Sequence, residues 1–172
     1  MSMGSTVADM MPQRFDQGLD LAQLRDLVIR PTLLYLGLHT AAAETLLLGT
    51  AMQESGGRYL KQLGRGPALG IYQMEPVTHD DHWRTFLPRH PELLEKVDGL
   101  LGAWPSKVGQ LATNLAYATA MARVHYYRRK EPLPDGLNSA AMAAYYKKYY
   151  NTPAGAATED QFAGVYRRAL EV

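Results

Sequence analysis

The stretch from Pro31 to Met52 constrains this chain most, because His39 and Glu44 are the only basic or acidic residues within it. Such an apolar stretch has to be covered by lipid or by protein. A charged residue at the centre of a bilayer costs about 2.5–3.5 kcal/mol, and one proline and two glycines interrupt the run. We therefore expect two helices at the centre of a soluble core and no membrane span.

Composition narrows the classes of protein further. The chain has 172 residues, of which 47% are hydrophobic, enough for one domain with a sizeable core. It has no cysteine, which excludes disulfides, thiolate metal sites and thiol catalysis. Its 18 basic and 17 acidic residues give a net charge of +1, so no global field attracts a polyanion. We expect one domain over residues 20–172, preceded by a flexible segment over residues 1–19.

Apolar residues recur at helical spacing through most of the chain, which predicts a mainly α fold. Pro31 is expected to end the first helix, and a long helix is expected from Ser106 to about Lys130. The glycine-rich span from Gly56 to Gly70 predicts a small β-hairpin or an irregular insert after the third helix. Side chains that typically cap helices precede several segments, namely Asp20, Thr40, Asn138 or Ser139, and Thr158.

Glu54 stands out because the pattern places a carboxyl group among core residues. Ala43, Leu47, Thr50 and Glu54 follow one another at steps of four, three and four residues, which is one stripe of a helix. Loss of water there raises the pKa of a carboxyl group, as a general acid near neutral pH requires. The alternative is an ordinary exposed glutamate that ends a helix before a glycine-rich turn.

Two short motifs follow one another in an order typical of one enzyme family. Glu54-Ser55 is followed by Gly70-Ile-Tyr-Gln73 and then by Pro76-x-Thr78. Over roughly residues 40–155, this ordered pair resembles the signature of lytic transglycosylases and the related goose-type lysozymes. In that family a Glu-Ser pair closes a buried helix, a Gly-Leu-Met-Gln-like strand follows, and Pro-x-Thr opens the next helix. The resemblance implies a lysozyme-like fold.

The resemblance also implies a role for each matched residue. Glu54 would be the catalytic acid and base, and Ser55 would line the site and hydrogen-bond near the scissile sugar. Gln73 would bind the substrate or hold the floor of the cleft. Tyr72 stands where the family usually has Met, and we interpret it as a sugar-stacking or wall residue. Asn114 matches a structural asparagine inside a core helix.

The third motif of the family, Ala-Tyr-Asn-x-Gly, supplies a tyrosine that contacts the catalytic carboxyl. The nearest match is Tyr149-Tyr150-Asn151, with Gly155 later than the motif places it. Ala144-Tyr145 is a competing partial match without the asparagine. On this basis Tyr150 and Asn151 are predicted to bind substrate, and the tyrosine partner of the carboxyl stays open. The tyrosine-rich segment is similar to phage-encoded members of the family.

The activity that the resemblance implies is cleavage of the MurNAc-GlcNAc β-1,4 bond of peptidoglycan. Hydrolysis needs a second carboxylate, about 6.5–9.5 Å away in inverting and about 5–5.5 Å away in retaining enzymes. Three acidic residues could supply it, namely Glu75, Asp80 and Asp81. Acidic residues are also common in the first turn of a helix, where they interact favourably with the helix dipole. With one acid and base, we expect a lytic transglycosylase. Glu54 protonates the glycosidic oxygen and then deprotonates the C6 hydroxyl of the same sugar. Muramidase-type hydrolysis is the second expectation.

Two further functions compete with this one. The chain could be a weak or inactive lysozyme-like structural module of a phage tail or baseplate. The basic and aromatic segments Tyr126–Lys130 and Tyr145–Tyr150 would also suit a nucleic-acid binder. His79 and His82 share a helix face but lack further ligands, so the sequence predicts no metal and no cofactor.

The expected partner is therefore a peptidoglycan glycan strand, with phage virion proteins as further partners and neither nucleic acid nor a membrane span. The first residues lack the basic and apolar regions of a signal peptide. We accordingly expect an endolysin or virion-associated lysin, located in the host cytoplasm or the virion and acting on the cell wall in the periplasm.

Overall fold

The computed structural model describes residues 18–151 and 155–172, so most of the segment 1–19 lies outside the described residues. The described chain is mainly helical, which confirms the predicted class. Its helices are α1 (Leu21–Gln23, the π-helical Leu24–Ile29 and Arg30–Leu36 in one run), α2 (Ala41–Ser55), α3 (Pro76–Asp81, continued by the π-helical His82–Phe86 and the 3-10 turn Leu87–Arg89), α4 (Pro91–Gly99), α5 (Gln110–Thr113), α6 (Leu115–Tyr127), α7 (Ser139–Tyr146, continued by the π-helical Lys147–Asn151) and α8 (Glu159–Leu170).

The predicted caps form as expected from their side chains. Asp20, Thr40 and Asn138 each accept a hydrogen bond from the backbone amide three residues later. Thr158 and Gln161 form a reciprocal capping box at the start of α8. Short-range sequence patterns therefore locate most helix starts.

Pro31 does not end the first helix, contrary to the prediction. The helix runs through it, because the turn before the proline widens into a π-helix in which the Arg30 amide donates to the carbonyl of Arg25. Proline lacks an amide hydrogen and its ring clashes with the carbonyl four residues back. The wider turn accommodates both effects within one continuous helix.

The predicted helix from Ser106 to Lys130 is wrong in its first half. Asn114 breaks it with an extended backbone conformation, φ −125° and ψ 98°, and separates α5 from α6. The Asn114 side chain accepts from the Tyr117 amide at 3.0 Å and donates to the Leu100 carbonyl at 2.8 Å. The structural role expected for Asn114 is therefore that of a helix cap.

Helix α6 lies at the centre of the fold and contributes to two cores. Ala118, Ala122 and Tyr126 pack in a cluster with α1, α2, α7 and α8. Tyr117 and Met121 pack in a second cluster with α3 and α4. The sequence of α6 is accordingly apolar on two faces, with Ala118 and Ala122 on one and Tyr117 and Met121 on the other.

The glycine-rich insert after α2 is irregular. Within the described residues it forms only isolated bridges, between Lys61 and Leu69 and between Leu69 and Met74, so the β-hairpin alternative is not observed. Gly70 has a φ of +76° and packs directly against the carbonyl of Leu111 in α5. This close backbone contact packs the insert directly on α5.

The apolar run from Pro31 to Met52 is divided between α1 and α2. Gly37 ends α1 in a left-handed conformation, and Thr40 begins α2. Over residues 18–151 and 155–172 the structure contains no helix long and apolar enough to cross a bilayer.

Replacing Gly70 with Ala should destabilise the chain more than the same change at Gly64. Both glycines have a positive φ, where a Cβ costs about 1–2 kcal/mol. At Gly70 the Cβ would also lie 2.0 Å from the Leu111 carbonyl oxygen, whereas at Gly64 nothing lies within 4 Å. We expect losses of about 1 kcal/mol for Gly64→Ala and at least about 3 kcal/mol for Gly70→Ala in urea unfolding. Equal losses would contradict this close approach.

Candidate active site

A cleft of about 950 Å³ opens where the end of α2 meets the glycine-rich insert, the start of α3 and the π-helical end of α7. Glu54 lies on its wall in the last turn of α2. Gly56 ends that helix in a left-handed conformation, and its amide caps the carbonyls of Ala51 and Met52. The side chain of Glu54 thus reaches open space from a helix whose body is buried.

The Glu54 carboxyl accepts a short hydrogen bond from the hydroxyl of Tyr146, with 2.5 Å between Oη and Oε1. Burial raises the pKa of Glu54 above its ordinary value, and the hydrogen bond from Tyr146 lowers it by less. Burial and the neighbouring Glu54 charge raise the pKa of Tyr146, so its hydroxyl keeps its proton and donates. The direction of this pKa shift is the one that the sequence predicts from the position of Glu54 on its helix.

The ring of Tyr146 is held in place by stacking. It lies flat on Phe162 of α8, with ring centroids 3.8 Å apart and planes 5° apart, and parallel to Tyr150 at 6.2 Å. Phe162 in turn packs against α2 at Gly49, where an added Cβ would lie 3.4 Å from its ring. Three helices therefore fix the position of the hydroxyl that meets Glu54.

Ser55 and Gln73 build the floor of the cleft. The buried Ser55 hydroxyl donates to the carbonyl of Ile71 at 2.7 Å, which ties α2 to the insert. The Gln73 amide nitrogen donates to the Gly70 carbonyl at 2.8 Å and closes the turn, in which Gln73 itself has a φ of +48°. Ser55 lines the cleft as predicted, and its hydrogen bond near the scissile sugar stays a prediction. The Gln73 amide nitrogen holds the floor of the cleft.

Tyr72 does not line the cleft, which corrects its interpretation as a sugar-stacking or wall residue. Its side chain is only 1% exposed and its hydroxyl pairs with that of Thr119 at 3.0 Å. Its carbonyl accepts a hydrogen bond from the Tyr150 hydroxyl at 2.8 Å. Successive side chains of the turn point to opposite sides, so the Tyr72 ring lies in the core and Gln73 lies on the cleft side.

The tyrosine that contacts Glu54 is neither Tyr150 nor Tyr145. Tyr150 lines the cleft, but its hydroxyl is engaged by Tyr72, and Tyr145 is directed to the Glu131 carbonyl. Tyr146 precedes Tyr150 by four residues and so occupies the same face of α7 one turn earlier. This spacing was the signal in the sequence that could have located it.

Asn151 lines the cleft, where its predicted contact with substrate requires it to lie, and Lys147 holds it there. The Lys147 ammonium donates to Asn151 Oδ1 at 2.9 Å and to the carbonyls of Gly155 and Ala157, both at 2.7 Å. The Asn151 side chain also opposes the rise in the pKa of Tyr146. Lys147 was missed from the sequence, where it reads as a solvated cation.

Glu75 is the other carboxylate on the cleft among residues whose positions are described. It is exposed at the residue before α3. Asp80 contacts His79 at 2.8 Å and Asp81 pairs with Arg128 at 2.8 Å, and neither lines the cleft. Of the three acidic residues considered as a second carboxylate, only Glu75 shares the cleft with Glu54.

The histidines that might suggest a metal are engaged by protein groups. His79 Nε2 lies 2.7 Å from the Tyr117 hydroxyl, and His82 Nε2 lies 2.9 Å from Nδ1 of His125. Burial lowers the pKa of His82 to about 3 and that of His125 to about 4, so both rings are neutral near pH 7. In the described part of the chain, no group of three potential ligands is arranged for a metal ion.

The polar lining of the cleft suits sugar hydroxyls. Amide side chains, which offer both donors and acceptors, are prominent: Gln53, Gln62, Gln73 and Asn151. Tyr59 adds an exposed aromatic face, and Arg58 adds a cation. By contrast, three of the six tyrosines in the segments Tyr126–Lys130 and Tyr145–Tyr150 are buried in the core, namely Tyr126, Tyr145 and Tyr146, and their rings are not available to stack on nucleobases.

Comparisons with protein families, with curated proteins and with solved structures returned no match for this chain.

Replacing Glu54 with Gln should stabilise the folded chain at neutral pH. The folded pKa of Glu54 is raised, so its ionised form opposes folding above that pKa, and this effect disappears below the unfolded pKa of about 4.3. We expect Glu54→Gln to raise Tm by about 3 °C at pH 7 and to leave it unchanged near pH 3. The exposed Glu75→Gln is the matched control and should change Tm little at either pH. A lower Tm for Glu54→Gln at pH 7 would contradict the burial argument.

Proposed function

We propose that this chain is a peptidoglycan lytic transglycosylase with a lysozyme-like fold. The observation that carries the proposal is the Glu54 carboxyl, partly buried at the end of a core helix, open to a cleft and bonded by the Tyr146 hydroxyl at 2.5 Å. The ordered Glu-Ser, Gly-x-x-Gln and Pro-x-Thr motifs surround that carboxyl. A tyrosine in contact with the acid is also what the resemblance to this family leads us to expect.

The geometry supports Glu54 as general acid and then general base. Its raised pKa favours the protonated form, which donates a proton to the glycosidic oxygen as the C1–O bond breaks. The carboxylate left behind takes the proton of the C6 hydroxyl of the same muramyl residue while O6 bonds to C1. The 1,6-anhydro ring closes, the acid is regenerated, and the intramolecular nucleophile makes the second step efficient.

Tyr146 supports both halves of this cycle. Its hydroxyl stabilises the Glu54 carboxylate when the proton has left and holds it in one orientation, because the ring is stacked on Phe162. The cleft amides would bind the hydroxyl and acetamido groups of the glycan. The amide-rich lining supports a glycan as the substrate class, and the partly buried acid beside it supports the transglycosylase reaction.

Hydrolysis is the competing outcome, because Glu75 also lines the cleft. Glu75 is exposed, whereas Glu54 is partly buried and burial raises its pKa. We therefore favour the transglycosylase reaction, as an endolysin or virion-associated lysin. Products from purified peptidoglycan decide between the two reactions: anhydromuramyl ends identify a transglycosylase, and reducing ends identify a hydrolase. Absence of any released product from the folded protein would favour a structural module.

Glu54→Gln should abolish cleavage of purified peptidoglycan, with a loss of at least about 100-fold, because the amide carries no transferable proton. Turbidity loss and mass spectrometry of soluble muropeptides measure the effect. Circular dichroism confirms that the variant is folded. Retention of more than a few per cent of the activity would exclude Glu54 as the acid.

Tyr146→Phe should shift the alkaline limb of the pH–activity profile upward. The hydrogen bond from Tyr146 lowers the pKa of Glu54, so its removal raises that pKa and keeps the acid protonated to higher pH. We also expect a rate about tenfold lower, because the carboxylate loses a charge-assisted hydrogen bond.

Tyr150→Phe is the matched control for this prediction. Its hydroxyl donates to the Tyr72 carbonyl and not to Glu54, so the alkaline limb should keep its position. An unmoved or lowered limb in Tyr146→Phe would contradict the assigned pairing.

A further inference from the structure

A second pocket, of about 480 Å³, lies at the opposite end of α2 from Glu54. Thr40 and Ala42 at the start of α2 form one side, and the end of α6 with the segment that follows it forms the other. At 1.5 Å per residue, the helix separates Ala42 from Glu54 by roughly 18 Å. The pocket and the cleft share no lining residue. Whatever the pocket binds is therefore held apart from the proposed reaction.

Arg123 is the unusual group in this pocket. It is only 7% exposed, and within the described residues its guanidinium has one hydrogen bond, from Nε to the Leu38 carbonyl at 3.3 Å. No carboxylate of residues 18–151 or 155–172 forms an ion pair with it. The central guanidinium carbon of Arg123 lies 5.4 Å from the centroid of the Tyr127 ring, and this cation–π contact partly offsets the cost of burying the charge. A buried cation without a counter-ion is costly, and burial accordingly lowers the pKa of Arg123.

Two more cations line the same pocket. Arg129 donates through Nη2 to the Tyr149 carbonyl at 3.2 Å, and its Nε is the one buried side-chain nitrogen or oxygen without a hydrogen-bond partner in the part of the chain described. Lys130 is exposed at the rim. The acidic residue of the lining, Glu131, is already paired with Lys148 at 2.7 Å. The pocket therefore carries three positive charges. Its one negative charge, Glu131, is paired with Lys148, which does not line the pocket.

We propose that this pocket binds an oxyanion, the carboxylate or phosphate group of a small ligand. Guanidinium groups match both anions through parallel N–H donors, and Arg123 has such donors free of protein partners. The start of α2 adds the positive end of a fifteen-residue helix to the same wall. A bound anion would supply the counter-charge that the fold leaves out. The inference rests on these groups alone and is independent of peptidoglycan cleavage.

Titration calorimetry with inorganic phosphate, and separately with acetate, tests the proposal at pH 7.5 and constant ionic strength. We expect saturable binding of at least one anion and a matching saturable rise in Tm of roughly 5 °C. The anion that binds with the lower Kd identifies whether the pocket prefers a phosphate or a carboxylate group. Absence of saturable binding by both would overturn the proposal.

Arg123→Gln distinguishes a binding residue from a structural one. The amide retains a donor toward Leu38 but removes the buried charge, so we expect Tm without anion to stay unchanged or rise, and anion binding to be lost. The exposed Lys130→Gln, which leaves the core untouched, should weaken binding several-fold. Arg167→Gln removes an exposed arginine from outside the pocket and is the matched control. Equal anion binding by all three variants would overturn the proposal.

Discussion

The hydrogen bond between Tyr146 and Glu54 is the interaction on which the candidate site depends. It joins α7 to the last turn of α2, and it is possible only because both side chains are held by a rigid core. Phe162 of α8 stacks on the Tyr146 ring and packs at Gly49 of α2, so three of the helices that form the core also set the distance between hydroxyl and carboxyl. The chemistry proposed for Glu54 follows from this geometry, because burial favours the protonated acid and the hydroxyl stabilises its conjugate base.

The glycine-rich insert completes the site through backbone contacts. Its turns bring the Ile71 carbonyl to Ser55 and place Gln73 on the cleft side, while Tyr72 anchors the insert in the core. Gly70 allows the whole segment to lie directly on α5. The insert is therefore held as a fixed floor even though it contains almost no regular β-structure.

An incompletely compensated group lies near each end of helix α2. Glu54 at its C-terminal end is desolvated and contacts a neutral hydroxyl, and Arg123 near its N-terminal end is buried without a carboxylate among the described residues. In both places the folded state bears an electrostatic cost that a bound molecule would relieve. By contrast, the buried carboxylate of Glu44 is paired with Arg30 at 2.7 Å.

The sequence by itself determined the helical class, most helix starts and the position of Glu54, because caps and apolar periodicity act over a few neighbouring residues. It also indicated that Gln73 and Asn151 lie at the cleft. The tertiary structure decided which tyrosine meets Glu54 and which ring lies in the core, and it revealed that Lys147 holds Asn151. Tyr145, Tyr146, Tyr149 and Tyr150 are chemically identical in sequence, and only the packing of α7 on α2 and α8 distinguishes them. Contacts between residues as far apart as Glu54 and Tyr146 depend on how helices pack, which local patterns do not encode.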